Sequence, residues 1–206
     1  MSFPIKSPSA DWINQTDSDL TSPPGAILLQ HQKFSTGIDL AYYRHPPINL
    51  PSSICPQHLI LIHTDVPFGT QVEQVTDGYY QRAEMKCQDV IIIPAQIVHS
   101  AQWNQEHSYL MLCITNESFQ ERLKNEIEDY CVEILPQFLL SDPLIYGIAM
   151  ALKEDSEALG IGGQLYIDSL LTTLFAHLLR NYCASQPTQT NQMVSLPKYK
   201  LRRVLD

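Results

Sequence analysis

The sequence predicts a mainly β fold with α, in which an antiparallel β-barrel or sandwich is followed by helices. Three observations predict it. Short runs rich in β-branched and aromatic residues recur between residues 26 and 115, at the roughly 8–12-residue spacing expected of a barrel or sandwich. Thr76-Asp77-Gly78 separates two alternating segments, and Asp-Gly is a strong hairpin signal because glycine takes the positive φ of a tight turn. After Ile114 the apolar residues stop alternating and recur at helical spacing.

In chain order, residues 1–25 are rich in Ser, Pro, Asp and Asn and close on Ser22-Pro23-Pro24-Gly25, an irregular leader. Ala26 to Phe34 and Ile38 to Arg44 read as strands around the turn Ser35-Thr36-Gly37, and His45-Pro46-Pro47 ends the second. Pro51 to Pro56 reads as a loop. His58 to His63 is a short apolar run suited to a buried strand. Thr70–Val75 and Tyr79–Met85 form the hairpin, and Val90–Ile93 and Tyr109–Ile114 are further strands. Glu117 to Tyr130 reads as a charged amphipathic helix. Ser141-Asp142-Pro143 opens the next, with a capping residue and a proline in the first turn, and it runs to about Leu159. Gln164 to Tyr182 is a longer helix with a wide apolar stripe. Residues 185–195 are polar and aperiodic, a linker. Residues 196–206 read as the start of a basic helix with no stop signal. The expected organisation is thus a leader (1–25), a β-barrel (26–115), a helical packing and dimerisation segment (116–184), a linker (185–195) and the first part of a further domain (196–206).

Composition narrows the function. The chain has 206 residues, 44% hydrophobic and 17% charged, an ordinary globular balance. No run of about 18 apolar residues exists, and residues 1–10 lack the apolar stretch of a secretory signal. Five cysteines at wide spacing, with no C-x-x-C, suit reduced thiols in a cytoplasmic protein. Of the net charge of −9, residues 196–206 contribute +3, from Lys198, Lys200, Arg202 and Arg203 against Asp206. The remainder carries 9 basic and 21 acidic side chains, and such a body repels nucleic-acid phosphates. No nucleophile elbow, P-loop, dinucleotide fingerprint or H-E-x-x-H is present, so the expectation is a protein that is not an enzyme and uses no cofactor.

The most distinctive segment is Gln88 to Asn104, QDVIIIPAQIVHSAQWN. It resembles the second motif of cupin barrels, with Asp89, Pro94 and His99 in place. Gln96 stands where glycine is usual, and Trp103 replaces the usual Asn. The first cupin motif brings two His and a Glu to a metal. The matching region, Leu61 to Asp65, has no His-x-His, and His58 and His63 are five residues apart, on opposite faces of one strand. No metal is therefore expected. The order of an acidic barrel, two apolar helices, a polar linker and the closing LPKYKLRRVLD resembles the N-terminal half of an AraC-type transcription regulator. Val72-Glu73-Gln74, Gln81-Arg82 and Asp142 to Ile145 also resemble one subgroup of that family. The resemblance implies a cupin-like β-barrel, a double-stranded β-helix or jelly roll, followed by a helical hairpin. It further implies a small-molecule effector, a homodimer, and DNA binding through a C-terminal domain outside this chain. The alternatives are a metal-dependent cupin enzyme using His99 and a dimer scaffold without an effector.

Candidate effector contacts are Tyr43, His63, Tyr80, Arg82, His99 and Trp103. Each has a plainer reading. His63 suits a core histidine, His99 a turn-fixing side chain, and Trp103 core or rim packing. Tyr80, Arg82 and Glu84 share one face of their strand, which is either the interior or a solvated face with a Glu73–Arg82 ion pair. Ile167, Leu171, Leu174 and Leu178 form the helical stripe, read either as intramolecular packing or as a dimer interface.

Overall fold

The structure, a computed structural model, describes residues 22–34, 37–124, 130–155 and 163–187. Nine strands come first: β1 (Ile27–Phe34), β2 (Ile38–His45), β3 (Ile48–Ile54), β4 (His58–Asp65), β5 (Gln71–Thr76), β6 (Tyr79–Glu84), β7 (Asp89–Ile93), β8 (Val98–Trp103) and β9 (His107–Ile114). Their antiparallel pairing is nested. β5 pairs with β6, β4 with β7, β3 with β8, and β2 with β9. The chain is therefore one long hairpin, with its tip at Asp77-Gly78, rolled over so that β9 also pairs with β4 and β8 with β5. Two sheets result, in the orders β1-β2-β9-β4-β7-β11 and β3-β8-β5-β6, where β11 is Gln137–Ser141. The tip residue Asp77 has φ +51° and Gly78 φ +82°, the left-handed pair that the Asp-Gly signal requires.

The inner strands β9, β4 and β7 of the first sheet are covered on both faces, which is why they read as nearly continuous apolar runs. Every residue of β9 is buried. Leu110, Leu112 and Ile114 join Ile60, Ile62, Val90 and Ile92 in a cluster that includes the helices. Tyr109, Met111 and Cys113 point the other way, with Leu59, Ile91 and Ile93, toward the second sheet. Alternation of side chains along each strand makes this division.

The helices are α1 (Asn116–Lys124), α2 (Pro143–Asp155) and α3 (Gly163–Tyr182). Asp142 caps α2 as its position predicts, accepting the N–H groups of Leu144 and Ile145, both at 3.0 Å. Its other carboxylate oxygen accepts from His177 Nε2 at 2.7 Å and from the Tyr182 hydroxyl, which fastens the start of α2 to α3. Among the described residues, no helix is long and apolar enough to cross a membrane. Cys55, Cys87, Cys113 and Cys183 are free thiols.

Four readings of the sequence are corrected. Residues 51–56, read as a loop, mostly belong to β3. Pro51 sits where the β3–β8 register shifts, and β3 is a sheet edge, where a missing N–H is tolerated. The helix expected to reach Tyr130 is described only to Lys124, and Tyr130–Ile134 forms β10, so segment 116–184 is not all helical. β10 pairs with β12 (Cys183–Pro187), which takes the first residues of the expected linker; the rest of 185–195, and 196–206, lie outside the described residues. The leucines proposed for a dimer interface are spent within the chain. Leu171, Leu174 and Leu178 have no exposed surface, and Ile167 packs against the same cluster. Periodicity shows that a helix face is apolar; here α2, with β10 and β12, packs against it.

Candidate functional site

Between the two sheets lies a cavity of about 100 Å³. β4 brings Leu61 and His63, β9 brings His107, Tyr109 and Met111, and β7 brings Ile91 and Ile93. From the second sheet come Val72 and Gln74 on β5 and His99, Ala101 and Trp103 on β8. These β5 and β8 residues share a face because Val72 pairs with Trp103 and Gln74 with Ala101. Ile54, 55% exposed, also borders the space and marks its mouth. Among the described residues, no Asp, Glu, Lys or Arg lines it.

Aromatic rings gather along one wall. His63 and His107 lie 5.2 Å apart between centroids, Trp103 and His107 5.1 Å, and His63 and Tyr109 5.8 Å. Behind them His45 packs edge-on against Trp103 at 4.6 Å, and Tyr43 against Tyr109 at 5.7 Å. Several polar groups here are already partnered. Trp103 Nε1 donates to the carbonyl of Pro46 at 2.8 Å, so its indole offers a ring and no donor. His45 Nε2 is 2.9 Å from the carbonyl of Pro24, which can only accept, so that nitrogen carries the proton. His45 Nδ1 then accepts from the Tyr109 hydroxyl at 3.2 Å.

The same logic fixes two cavity histidines. His99 Nδ1 lies 3.2 Å from the carbonyl of Ile97, and His107 Nδ1 3.4 Å from that of Gln105. Both Nδ1 atoms must be donors, so in the neutral rings both Nε2 atoms are acceptors. His63 differs. It is 3% exposed, and neither ring nitrogen has a hydrogen-bond partner. Burial holds all three imidazoles in their neutral form: it lowers His99, brings His107 down to about 4, and with His107 alongside puts His63 well below the usual value. Burial also pushes the Tyr43 phenol up to about 12.

Of the residues singled out in the sequence, His63, His99 and Trp103 converge on the cavity. Tyr43 lies behind the wall, fully buried against Tyr109. Tyr80 and Arg82 are placed outside. Their partners across β5–β6 are Val75 and Glu73, the residues alternating with the inward Val72 and Gln74. Tyr80 is 61% exposed, and Arg82 reaches Glu73 Oε1 at 3.4 Å, the solvated ion pair weighed as the plainer reading. His107, Tyr109 and Gln74 were missed. The strand start was read at Tyr109, two residues late; extending it to His107 puts His107, Tyr109 and Met111 on one face. His58 and His63 do face opposite ways: His58 stacks near Phe119 of α1 at 5.1 Å while His63 faces the cavity.

Gln96 has φ +63°, the conformation for which glycine is usual, and donates its N–H to the carbonyl of Cys55 at 2.8 Å. Among the described residues, no three His, Cys, Asp or Glu side chains are grouped as metal ligands.

No family profile matches the sequence, and no curated protein resembles it significantly. Among solved structures the chain is similar to a cupin domain from Schizosaccharomyces pombe, at 14% identity and a TM-score of 0.37, over 47% of this chain and 68% of that one. It is similar to a cupin superfamily protein from Desulfitobacterium hafniense, at 9% identity and a TM-score of 0.36, over 46% and 82%. A cupin domain from Bordetella pertussis gives 13% identity and a TM-score of 0.35, over 46% and 97%. The nested strand pairing describes the architecture independently of these likenesses.

Proposed function

We propose that this chain is an effector-binding domain of the AraC-type regulator class, in which a cupin-like jelly roll holds a small molecule between its two sheets and the helices carry the response. The observation that supports it most is the cavity itself, together with a fully buried His63 that has no partner. An unpaired buried polar side chain costs stability, so its presence in a cavity suits a site completed by a ligand. The absence of charged residues from the lining and of a three-ligand cluster among the described residues favours binding over acid–base or metal chemistry.

Transmission would use strand alternation. On β4, His63 and Leu61 face the cavity, whereas Ile60 and Ile62 pack in the cluster containing α1, α2 and α3. A ligand that moves β4 therefore moves the seat of the helices, by as much as its contacts differ between the two states. In this reading a second copy pairs through a surface other than the buried Leu171, Leu174 and Leu178. Leu165 and Tyr166, 74% and 49% exposed, are the apolar side chains α3 leaves outside.

The test is a thermal-shift screen of small metabolites, repeated on Ala101→Phe, which fills the cavity. Saturable stabilisation of the wild type, about 2.7 kcal/mol at a hundredfold excess over Kd, that Ala101→Phe abolishes supports the reading. Stabilisation unaffected by Ala101→Phe contradicts it.

A further inference from the structure

We propose that the cavity takes a small uncharged ring bearing a hydroxyl group, a ligand of the phenol class, and that His63 reads the hydroxyl. This rests on the reading of the cavity as an effector site and adds the chemistry of the effector.

Size is the first constraint. The cavity measures about 100 Å³, below the roughly 150 Å³ apolar cavity that admits a benzene ring. A single ring is therefore the upper limit and must extend into the mouth at the exposed Ile54; a disaccharide or a nucleotide does not fit. The walls are the second. Leu59, Leu61, Ile91 and Ile93 supply aliphatic surface. Trp103 and Tyr109 supply ring faces, and Met85 and Met111 supply thioethers, which favour aromatic neighbours.

Charge is the third. A carboxylate entering this space would lose its hydration and meet no Lys or Arg among the described residues that line it. A cation would meet no Asp or Glu among them. The imidazoles do not compensate, since burial keeps them neutral.

The fourth constraint selects the hydroxyl. A neutral imidazole has one N–H and one lone pair, and in His63 both lack partners. The two nitrogens point to opposite sides of the ring, so one hydroxyl reaches one of them, accepting from the N–H or donating to the lone pair. His107 Nε2 and His99 Nε2 add acceptors, because their Nδ1 protons are committed to backbone carbonyls. Gln74 gives one of its two amide N–H groups to Thr76 Oγ1 at 2.6 Å. Ser53 and Ser100 can donate or accept, whereas the Nε2 atoms of His99 and His107 only accept, and a ligand that donates is their complement.

Phenol, benzene and benzoate are the probes, titrated calorimetrically into the whole chain at pH 7. Phenol is expected to bind at least tenfold more tightly than benzene, and benzoate not to bind. In His63→Leu the phenol preference should shrink about tenfold while benzene binding is kept or improved. Because a variant at a fully buried position can fail to fold, the wild-type protein gives a second readout. The ¹⁵N signals of the His63 ring should shift on adding phenol and not on adding benzene. Benzene equal to phenol, or benzoate binding as well as phenol, overturns the proposal and leaves the cavity as an effector site. No saturable binding by any of the three also overturns it. The wider reading then falls as well only if the metabolite screen finds nothing that Ala101→Phe blocks.

Discussion

Replacing His63 with leucine should stabilise the protein. His63 is 3% exposed and neither of its nitrogens has a partner. Leaving buried polar groups unpaired costs about 1–3 kcal/mol, whereas leucine offers the cavity a side chain of similar size with nothing to satisfy. The expected gain is about 1–3 kcal/mol, which for a chain of 206 residues is a rise in Tm of about 2–12 °C at roughly 2–4 °C per kcal/mol. Differential scanning calorimetry at pH 7 measures it. The acid side sharpens the test. A histidine held neutral in the fold but titrating near 6.5 when unfolded leaves the unfolded state binding more protons below that value, so stability falls as pH falls. The wild type should therefore lose more stability than His63→Leu below pH 6.5. A lower Tm for the variant at pH 7, with an unchanged acid profile, would refute the reasoning, because it would mean that both nitrogens hold good partners.

Other perturbations follow from the same geometry. His107, brought to about 4 by burial, should make stability fall between pH 6.5 and pH 4 by about 3 kcal/mol when complete; His107→Gln, followed by chemical denaturation across that range, should flatten the curve. Arg82→Ala should change stability by less than about 1 kcal/mol and leave ligand affinity unchanged, since its ion pair with Glu73 is exposed. Leu174→Ala should cost about 2–5 kcal/mol in urea unfolding without altering the oligomeric state, because Leu174 is fully buried within the chain. Asp142→Ala removes the cap of α2 and the acceptor for His177 and Tyr182, and should cost about 2–4 kcal/mol.

The sequence carries the outline of this fold because alternation and turn chemistry are local. Asp77-Gly78 and the apolar runs of β4, β7 and β9 declare themselves without knowledge of their neighbours. β3 does not, since Pro51 is a breaker by itself and is acceptable only because β3 falls on an edge. β10 and β12 pair across the long stretch of chain between Ile134 and Cys183, and nothing local to either segment announces the other. The site shows the same division. His63, His99 and Trp103 were visible as polar or aromatic residues beside buried strands. The side of β6 that faces solvent was not, because Tyr79 to Glu84 carries no apolar face, and only pairing with β5 decides it. His107 was hidden by a strand start placed two residues late. The leucines of α3 show the limit of periodicity, which identifies a face to be covered and not its cover.

The central claim is that the space between the sheets is a ligand site completed at His63. A crystal structure of the chain grown with phenol tests it most directly. The account predicts density for one ring between β4, β8 and β9, with its hydroxyl within hydrogen-bond distance of a His63 nitrogen. A cavity filled by its own side chains, or phenol bound elsewhere with His63 paired to the protein, would contradict it.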